Sequence, residues 1–162
     1  MNTNIRQATP NDLKALAEIE QCCFPPAEAA SLESFQERLA VFGQHFWVLE
    51  LDGQLIGFIN GMVTNQPTIT DEMFEHAHLH DEAGEWQTIF GLDVLPAYRN
   101  QGYAARLMNQ LIAEARLEKR KGCVLTCKEV LIHYYEKFGY RNEGVSASVH
   151  GGEVWYDMRL EF

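Results

Sequence analysis

The sequence predicts a mixed α/β fold, a mostly antiparallel sheet flanked by helices, spanning residues 1–162 as a single domain. Three observations predict it. Asp52-Gly53 lies between two apolar runs, residues 45–51 and 54–64, and Asp-Gly is a strong hairpin signal because both residues tolerate positive φ. Residues 85–94 read as a strand that gives way, through a glycine-marked turn, to an amphipathic helix over residues 102–120. Residues 141–149 and 153–161 pair as a last hairpin around Gly151-Gly152. A chain of this length buries roughly two thirds of its unfolded surface, enough for one core without covalent staples.

The elements follow in order. Residues 4–8 form a first strand, after which Thr9 is an N-cap, Pro10 takes the first helical position and Asp12 is an early acid, starting a helix that runs through Glu20. Residues 22–30 are irregular, because Pro25 lacks an N–H and Pro26 restricts the residue before it. Ser31 caps a second helix with Leu32, Phe35 and Leu39 at helical spacing. Residues 66–84 are polar, acidic and histidine-bearing, a long loop with a short helix. In the strand 85–94, Gly91 marks a bulge or a close approach of ligand or backbone. The helix 102–120 carries Ala104, Leu107, Met108, Leu111, Ile112 and Ala115 on one stripe, a core face. Residues 123–127 make a short buried strand, and the helix beginning at Leu131 is ended by Gly139 at C′.

Charge and cysteine usage narrow the function. Thirteen Lys and Arg against 23 Asp and Glu give a formal net charge of -10, which argues against a nucleic-acid partner because phosphate binding needs a basic stripe. Lys119-Arg120-Lys121 is the one basic cluster, placed at a helix C-terminus where cations favour the dipole. Cys22-Cys23 and the pair Cys123 and Cys127 lack Cys-x-x-Cys spacing, so free thiols in a reducing cytoplasm are expected. No apolar run reaches membrane-spanning length, so no membrane partner is expected. The final hairpin is a candidate homodimer surface.

Leu92, Asp93 and Val94 lead into Arg99, Asn100, Gln101, Gly102, Tyr103, Ala104 and Ala105, a strand, turn and helix start. Backbone N–H groups at such a turn lack intrahelical partners and point together at the positive end of the helix, which makes an anion site. The spacing Arg99-x-x-Gly102-x-Ala104 is neither G-x-G-x-x-G nor a Walker loop, so neither NAD nor ATP is favoured.

This motif resembles the coenzyme A pyrophosphate loop of the GNAT acyltransferase superfamily, Gln/Arg-x-x-Gly-x-Gly/Ala after a central strand. Tyr135-Glu136-Lys137-Phe138-Gly139-Tyr140 resembles the family's Tyr-x-x-Phe-Gly-Phe/Tyr element. The segment from Ile19 through Ser31, with residues 46–49 and 55–61, is similar to the amino-terminal half of the arylalkylamine N-acetyltransferase-like branch. The resemblance implies a central sheet that splays apart beside Gly91, acetyl-CoA as cosubstrate, and N-acetylation of a small aromatic or aliphatic primary amine by direct transfer. A protein N-terminal or lysine acetyltransferase is the alternative enzyme, and a non-catalytic acyl-CoA-binding module the alternative of another class.

The resemblance also implies roles. Tyr135 matches the general-acid tyrosine that protonates the departing thiolate, and a backbone N–H near Leu92 or Asp93 polarises the acyl carbonyl. Where the animal enzymes hold two histidines on the central strand, this chain has Thr88 and Phe90, so that relay is not carried over and both residues are assigned to the amine side. Glu85 and Glu28 are the substitute bases, and Phe24, Pro25 and Pro26 wall the amine pocket. Lys119-Arg120-Lys121 has contact with the 3′-phosphate of coenzyme A as its sharper alternative. Acetyl transfer needs no metal, and His76, His78 and His80 read as solvated loop residues rather than ligands. His133 is a helix-surface residue beside Tyr135.

Overall fold

The computed structural model describes residues 2–162. Its strands are β1 (Thr3–Gln7), β2 (Phe46–Leu51), β3 (Gln54–Asn60), β4 (Val63–Thr64), β5 (Trp86–Ile89), β6 (Gly91–Val94), β7 (Gly122–Cys127), β8 (Arg141–Val145) and β9 (Tyr156–Glu161). Its helices are α1 (Leu13–Cys23), α2 (Leu32–Phe42), α3 (Asp71–Glu75), α4 (Tyr103–Leu117) and α5 (Ile132–Glu136). The chain divides into two compact units, one holding the residues up to Gly61 with Gly91–Leu111, the other Met62–Phe90 with Ile112–Phe162. Among the described residues no helix is long and apolar enough to cross a membrane.

The first unit is built on an antiparallel sheet in the order β1-β2-β3-β6. The Asp52-Gly53 hairpin forms as expected, with φ of 50° and 83° at the two residues. Arg6 on β1 donates to Asp12 at 2.8 and 2.9 Å, and Asp12 also accepts the Thr9 N–H at 2.8 Å. The guanidinium holds the Asp12 carboxyl below the usual carboxylate range and fixes the start of α1. The Ser31 hydroxyl accepts from the Ser34 N–H at 3.1 Å and caps α2. One face of the sheet is covered by Leu16, Ala17 and Ile19 of α1 and by Phe35 of α2, packed on Phe46, Val48 and Phe58. The Phe35 ring stands edge-on to Phe46 and Phe58, at 6.0 and 5.6 Å between centroids.

The second unit is a mixed sheet in the order β4-β5-β7-β9-β8, with β5 and β7 parallel and the other neighbours antiparallel. Gly122 lets β7 lie close to β9, since a Cβ there would stand 2.0 Å from the Leu160 carbonyl oxygen.

Two runs read as single strands prove to be two strands each. The run 54–64 breaks after Asn60 into β3 and β4, and the run 85–94 breaks at Phe90 into β5 and β6; the halves belong to different sheets. The Met62 carbonyl, at the first break, accepts the Thr88 N–H at 2.9 Å and the Thr88 hydroxyl at 2.8 Å. Apolar residues lie close on both sides of each break, and the first falls at the turn dipeptide Asn60-Gly61. The change of sheet falls beside Gly91, where the resemblance implied a parting of the central strands. The helix expected from Leu131 is shorter, a 3-10 turn over Glu129–Leu131 followed by α5, with Gly139 at φ 103° beyond it.

Gly57 sets how closely β6 lies on β3, because a Cβ there would be 2.5 Å from the Asp93 carbonyl oxygen and 3.3 Å from Val94. Gly57→Ala is therefore expected to cost about 1–3 kcal/mol, the range for overpacking a tight contact. Urea denaturation measures it; unchanged stability would mean that β6 moves off β3 freely.

Candidate active site

The pairing of β6 decides what it can bind. It is the last strand of its sheet, with Gly57, Phe58, Ile59 and Asn60 opposite Val94, Asp93, Leu92 and Gly91. The Leu95 N–H donates to the Ile56 carbonyl at 2.9 Å, and in an antiparallel ladder the hydrogen-bonded pairs alternate, so the N–H groups of Asp93 and Gly91 also face β3. Those of Leu92 and Val94 point the other way. Of the two amides the sequence offered for an acyl carbonyl, Leu92's is thus turned outward, whereas Asp93's is directed at Phe58. The Val94 carbonyl, also turned outward, accepts from Arg99 Nε at 3.0 Å and from the Cys23 thiol at 3.5 Å.

Arg99 thereby ties the following turn to the strand. Pro96–Tyr98 form a 3-10 turn, Arg99 is extended, and Asn100 and Gly102 take φ of 62° and 84° before α4 begins at Tyr103. Nothing lies within 4 Å of a Cβ built on Gly102, so its positive φ, not crowding, requires glycine. The Arg106 N–H bonds back to the Gly102 carbonyl at 3.1 Å, so the amides of Tyr103, Ala104 and Ala105 fall in the first turn, where no intrahelical acceptor exists. Asn100, Gln101 and Gly102 are exposed, while the Tyr103 ring is buried and anchors the turn.

On the α1 side of the same strand lies a cluster that the sequence did not single out. Asp93 is 1 % exposed, and neither of its carboxyl oxygens meets a donor. What it faces is Glu20 of α1, itself 7 % exposed. Burial, followed by the Glu20 charge, drives the Asp93 carboxyl well above the usual range. Arg38 on α2 attracts both acids and donates to Asn60 Oδ1 at 3.2 Å, leaving Asn60 Nδ2 without a partner; burial lowers the guanidinium to about 10, still charged at neutral pH. The cluster surrounds bare backbone: a Cβ on Gly91 would stand 3.1 Å from Asp93 Oδ1, 3.6 Å from Asn60 Nδ2 and 3.9 Å from Glu20 Oε1. Glu20 also reaches the expected amine-side loop, because its Oε2 accepts the Ala30 N–H at 2.9 Å. That loop turns on the Pro25 carbonyl, which accepts from Glu28 and Ala29 N–H at 2.9 and 3.0 Å. Phe24 is half-buried, Pro25 and Pro26 are exposed, and Glu28 is buried.

In the second unit, Tyr135 is half-buried, with its ring 5.2 Å from Tyr134 and 6.1 Å from Tyr140. His133 does not turn to Tyr135 but pairs with Glu136 at 3.1 Å on the surface. Thr88 is wholly buried, its hydroxyl donating to the Met62 carbonyl, while the Phe90 ring is tilted 4.8 Å from Phe74, which in turn lies flat against His150 at 5.2 Å. Glu85 is exposed, 3.8 Å from Lys121. Arg120 is a clamp inside this unit: it donates to the Glu82 and Gly84 carbonyls, both at 2.7 Å, and to the carboxylates of Glu82 and Glu118. His76 and His78 lie 5.4 Å apart on the surface, and His80 accepts from the Val63 N–H at 3.0 Å with its other nitrogen at Glu82.

A strand leading into a positive-φ turn and a helix start is what the sequence motif implied, though that strand, expected to be central, is an edge, and the family comparison decides what it belongs to. The Acetyltransferase (GNAT) family pattern matches residues 13–140. The chain belongs to the GNAT acetyltransferase family. This acetyltransferase is 24 % identical over 164 residues to serotonin N-acetyltransferase of Mesocricetus auratus, covering 97 % of this chain and 76 % of that one. In structure it is similar to the GNAT-like decarboxylase GphF in complex with isobutyryl-CoA, at 23 % identity, a TM-score of 0.85 and 98 % of each chain. It is also similar to the ribosomal-protein-S18-alanine N-acetyltransferase of Escherichia coli, at 20 % identity, a TM-score of 0.74, and 99 % and 94 % coverage. These likenesses establish the fold.

Sequence reasoning missed Glu20, Arg38 and Asn60 in this acetyltransferase. The signal was present for two of them: Glu20 sits beside Leu16, Ala17 and Ile19 on the buried stripe of α1, and Arg38 one turn after Phe35 on that of α2. A charge on an apolar stripe points to a buried partner.

The raised Asp93 carboxyl has a signed consequence. The folded chain keeps a proton that an unfolded aspartate releases near pH 4, so stability falls as pH rises from about 4 until the folded group ionises, and is level beyond. Asp93→Asn keeps a donor toward Glu20 without titrating, so its stability relative to wild type is expected to rise through that window. Urea denaturation at a series of pH values checks it; curves that stay parallel would show that Asp93 is ionised in the folded chain.

Proposed function

We propose that this acetyltransferase moves the acetyl group of acetyl-CoA to the nitrogen of a small primary amine, aromatic or aliphatic, in one domain and without a metal. The observation that carries the reading is the outward edge of β6: Leu92 and Val94 present unspent amides beside a turn whose helix start offers more. In this reading the Leu92 amide receives the thioester carbonyl and the turn from Arg99 to Ala105 receives the pyrophosphate. The arylalkylamine-like amino-terminal half, together with the serotonin N-acetyltransferase relative, supports a small amine, and Phe24, Pro25 and Pro26 wall its pocket. Tyr135 protonates the leaving thiolate, a role that rests on its place in Tyr-Glu-Lys-Phe-Gly-Tyr. Four free cysteines suit a reducing cytoplasm.

The chemistry needs a proton acceptor, because an alkylammonium is neutral in only about one molecule in a few thousand at pH 7, a cost of roughly 4 to 5 kcal/mol. Glu28, buried in the amine-side loop, is better placed to take that proton through water than Glu85, which faces Lys121.

Thiol release from acetyl-CoA across a panel of aromatic amines, aliphatic amines, peptide amino termini and lysine peptides tests the reading. Turnover with small amines is expected; turnover with peptides alone would instead favour a protein acetyltransferase, and binding of acetyl-CoA without thiol release would favour a non-catalytic module. Tyr135→Phe is expected to lower kcat about 10²-fold with acetyl-CoA affinity unchanged, and wild-type turnover in that variant would return Tyr135 to packing. Gly102→Val is expected to weaken acetyl-CoA binding in a calorimetric titration, and more than Arg99→Ala does, because the backbone amides survive the second change.

A further inference from the structure

Glu20 touches two parts of the first unit that the proposed reaction must hold in register. Its Oε2 accepts the Ala30 N–H at 2.9 Å, closing the segment that begins at Phe24. Its Oε1 lies 3.9 Å from where a Gly91 Cβ would be, on the side of β6 where it meets Asp93. One side chain therefore bridges the amine-side loop and the strand whose outward amides face the acyl group.

We propose that Glu20 is a positioning residue for the amine, fixing the segment from Phe24 to Ala30 to β6, with one carboxyl oxygen on the Ala30 N–H and the other against Gly91 beside Asp93. The proposal rests on the amine acetylation argued above and names what orders its acceptor side. Loop ordering is a cost of binding, so a loop already fixed to the acyl strand binds its ligand more tightly than one that must be fixed at each encounter.

The link is proton-dependent. No donor reaches the Asp93 oxygens, and burial beside Glu20 favours its protonated form. Glu20 and Cys23 face it from α1, Arg38 from α2 and Asn60 from β3; the Glu20 carboxyl and the thiol oppose its ionisation, and only Arg38 favours it. Ionisation of Asp93 places two negative charges in contact in a buried site, and the contact opens. The amine side of the reaction is thus weakened at alkaline pH, while the turn from Arg99 to Ala105, which Glu20 does not touch, is left as it was.

The test compares wild type, Glu20→Ala, Glu20→Gln and Asp93→Asn, using the best amine from the panel across pH 7 to 10. The ratio of variant to wild-type KM at each pH cancels the amine's own titration. Glu20→Ala is expected to raise amine KM roughly tenfold at pH 7, the size of a lost hydrogen bond to a charged group, with acetyl-CoA affinity unchanged. Glu20→Gln, whose amide can donate to Asp93 and accept from Ala30, is expected to restore KM. Asp93→Asn is expected to hold KM level where wild type rises. Hydrogen exchange at the Ala30 amide is expected to quicken in Glu20→Ala. A folded Glu20→Ala with faster Ala30 exchange and wild-type KM would overturn the proposal, as would an Asp93→Asn profile that tracks wild type. A wild-type chain that acetylates no amine overturns the function itself, and the positioning role with it; an active wild type with indifferent variants overturns the positioning role alone.

Discussion

The site depends on β6 being paired on one side only. The chain leaves one sheet at Ile89 and enters another at Gly91, so β6 joins β3 as an edge strand and keeps the outward amides of Leu92 and Val94 unspent. A strand with partners on both sides has no such amides to offer, and an edge is usually blunted because unpaired groups invite aggregation. Here the edge is short, four residues, and it runs directly into a turn pinned back on its last carbonyl by Arg99. The same residues that limit the edge also shape the turn proposed to receive the pyrophosphate.

Alternation along this strand divides the work. The backbone of Leu92 and Val94 faces outward, whereas Asp93 turns its side chain toward Glu20, Arg38 and Asn60, where Gly91 leaves room that a Cβ would crowd. A buried acid pair beside a buried arginine is an expensive way to join helices to a strand, since apolar side chains of similar volume are commonly as stabilising. What ionisable groups provide instead is direction and a dependence on protons. Glu20 holds a particular backbone N–H, that of Ala30, and an apolar side chain holds none.

Much of this was legible in the sequence. The Asp52-Gly53 hairpin, the Ser31 cap and the helix after Gly102 follow from local chemistry, because turns and caps act through their own backbone; Gly91 was expected to mark a bulge but pairs in register with Asn60. The first strand break carries a turn signal, Asn60-Gly61, inside an otherwise apolar run, whereas at Phe90 apolar residues continue up to Gly91 and only the pairing partners change. The acid cluster was hidden for a related reason: Glu20, Arg38, Asn60 and Asp93 are far apart in the chain and meet only in the folded unit. Lys119-Arg120-Lys121 is the opposite case, a conspicuous run in which Arg120 spends its donors on Glu82, Gly84 and Glu118.

The most direct test of the edge-strand account is amide hydrogen exchange by NMR, read residue by residue along β6 with and without acetyl-CoA. The account predicts that Gly91 and Asp93, bonded to β3, exchange slowly in both states, while Leu92 and Val94 exchange quickly alone and become protected when acetyl-CoA is added. Slow exchange at Leu92 and Val94 before any ligand is present, with no change on its addition, would contradict it.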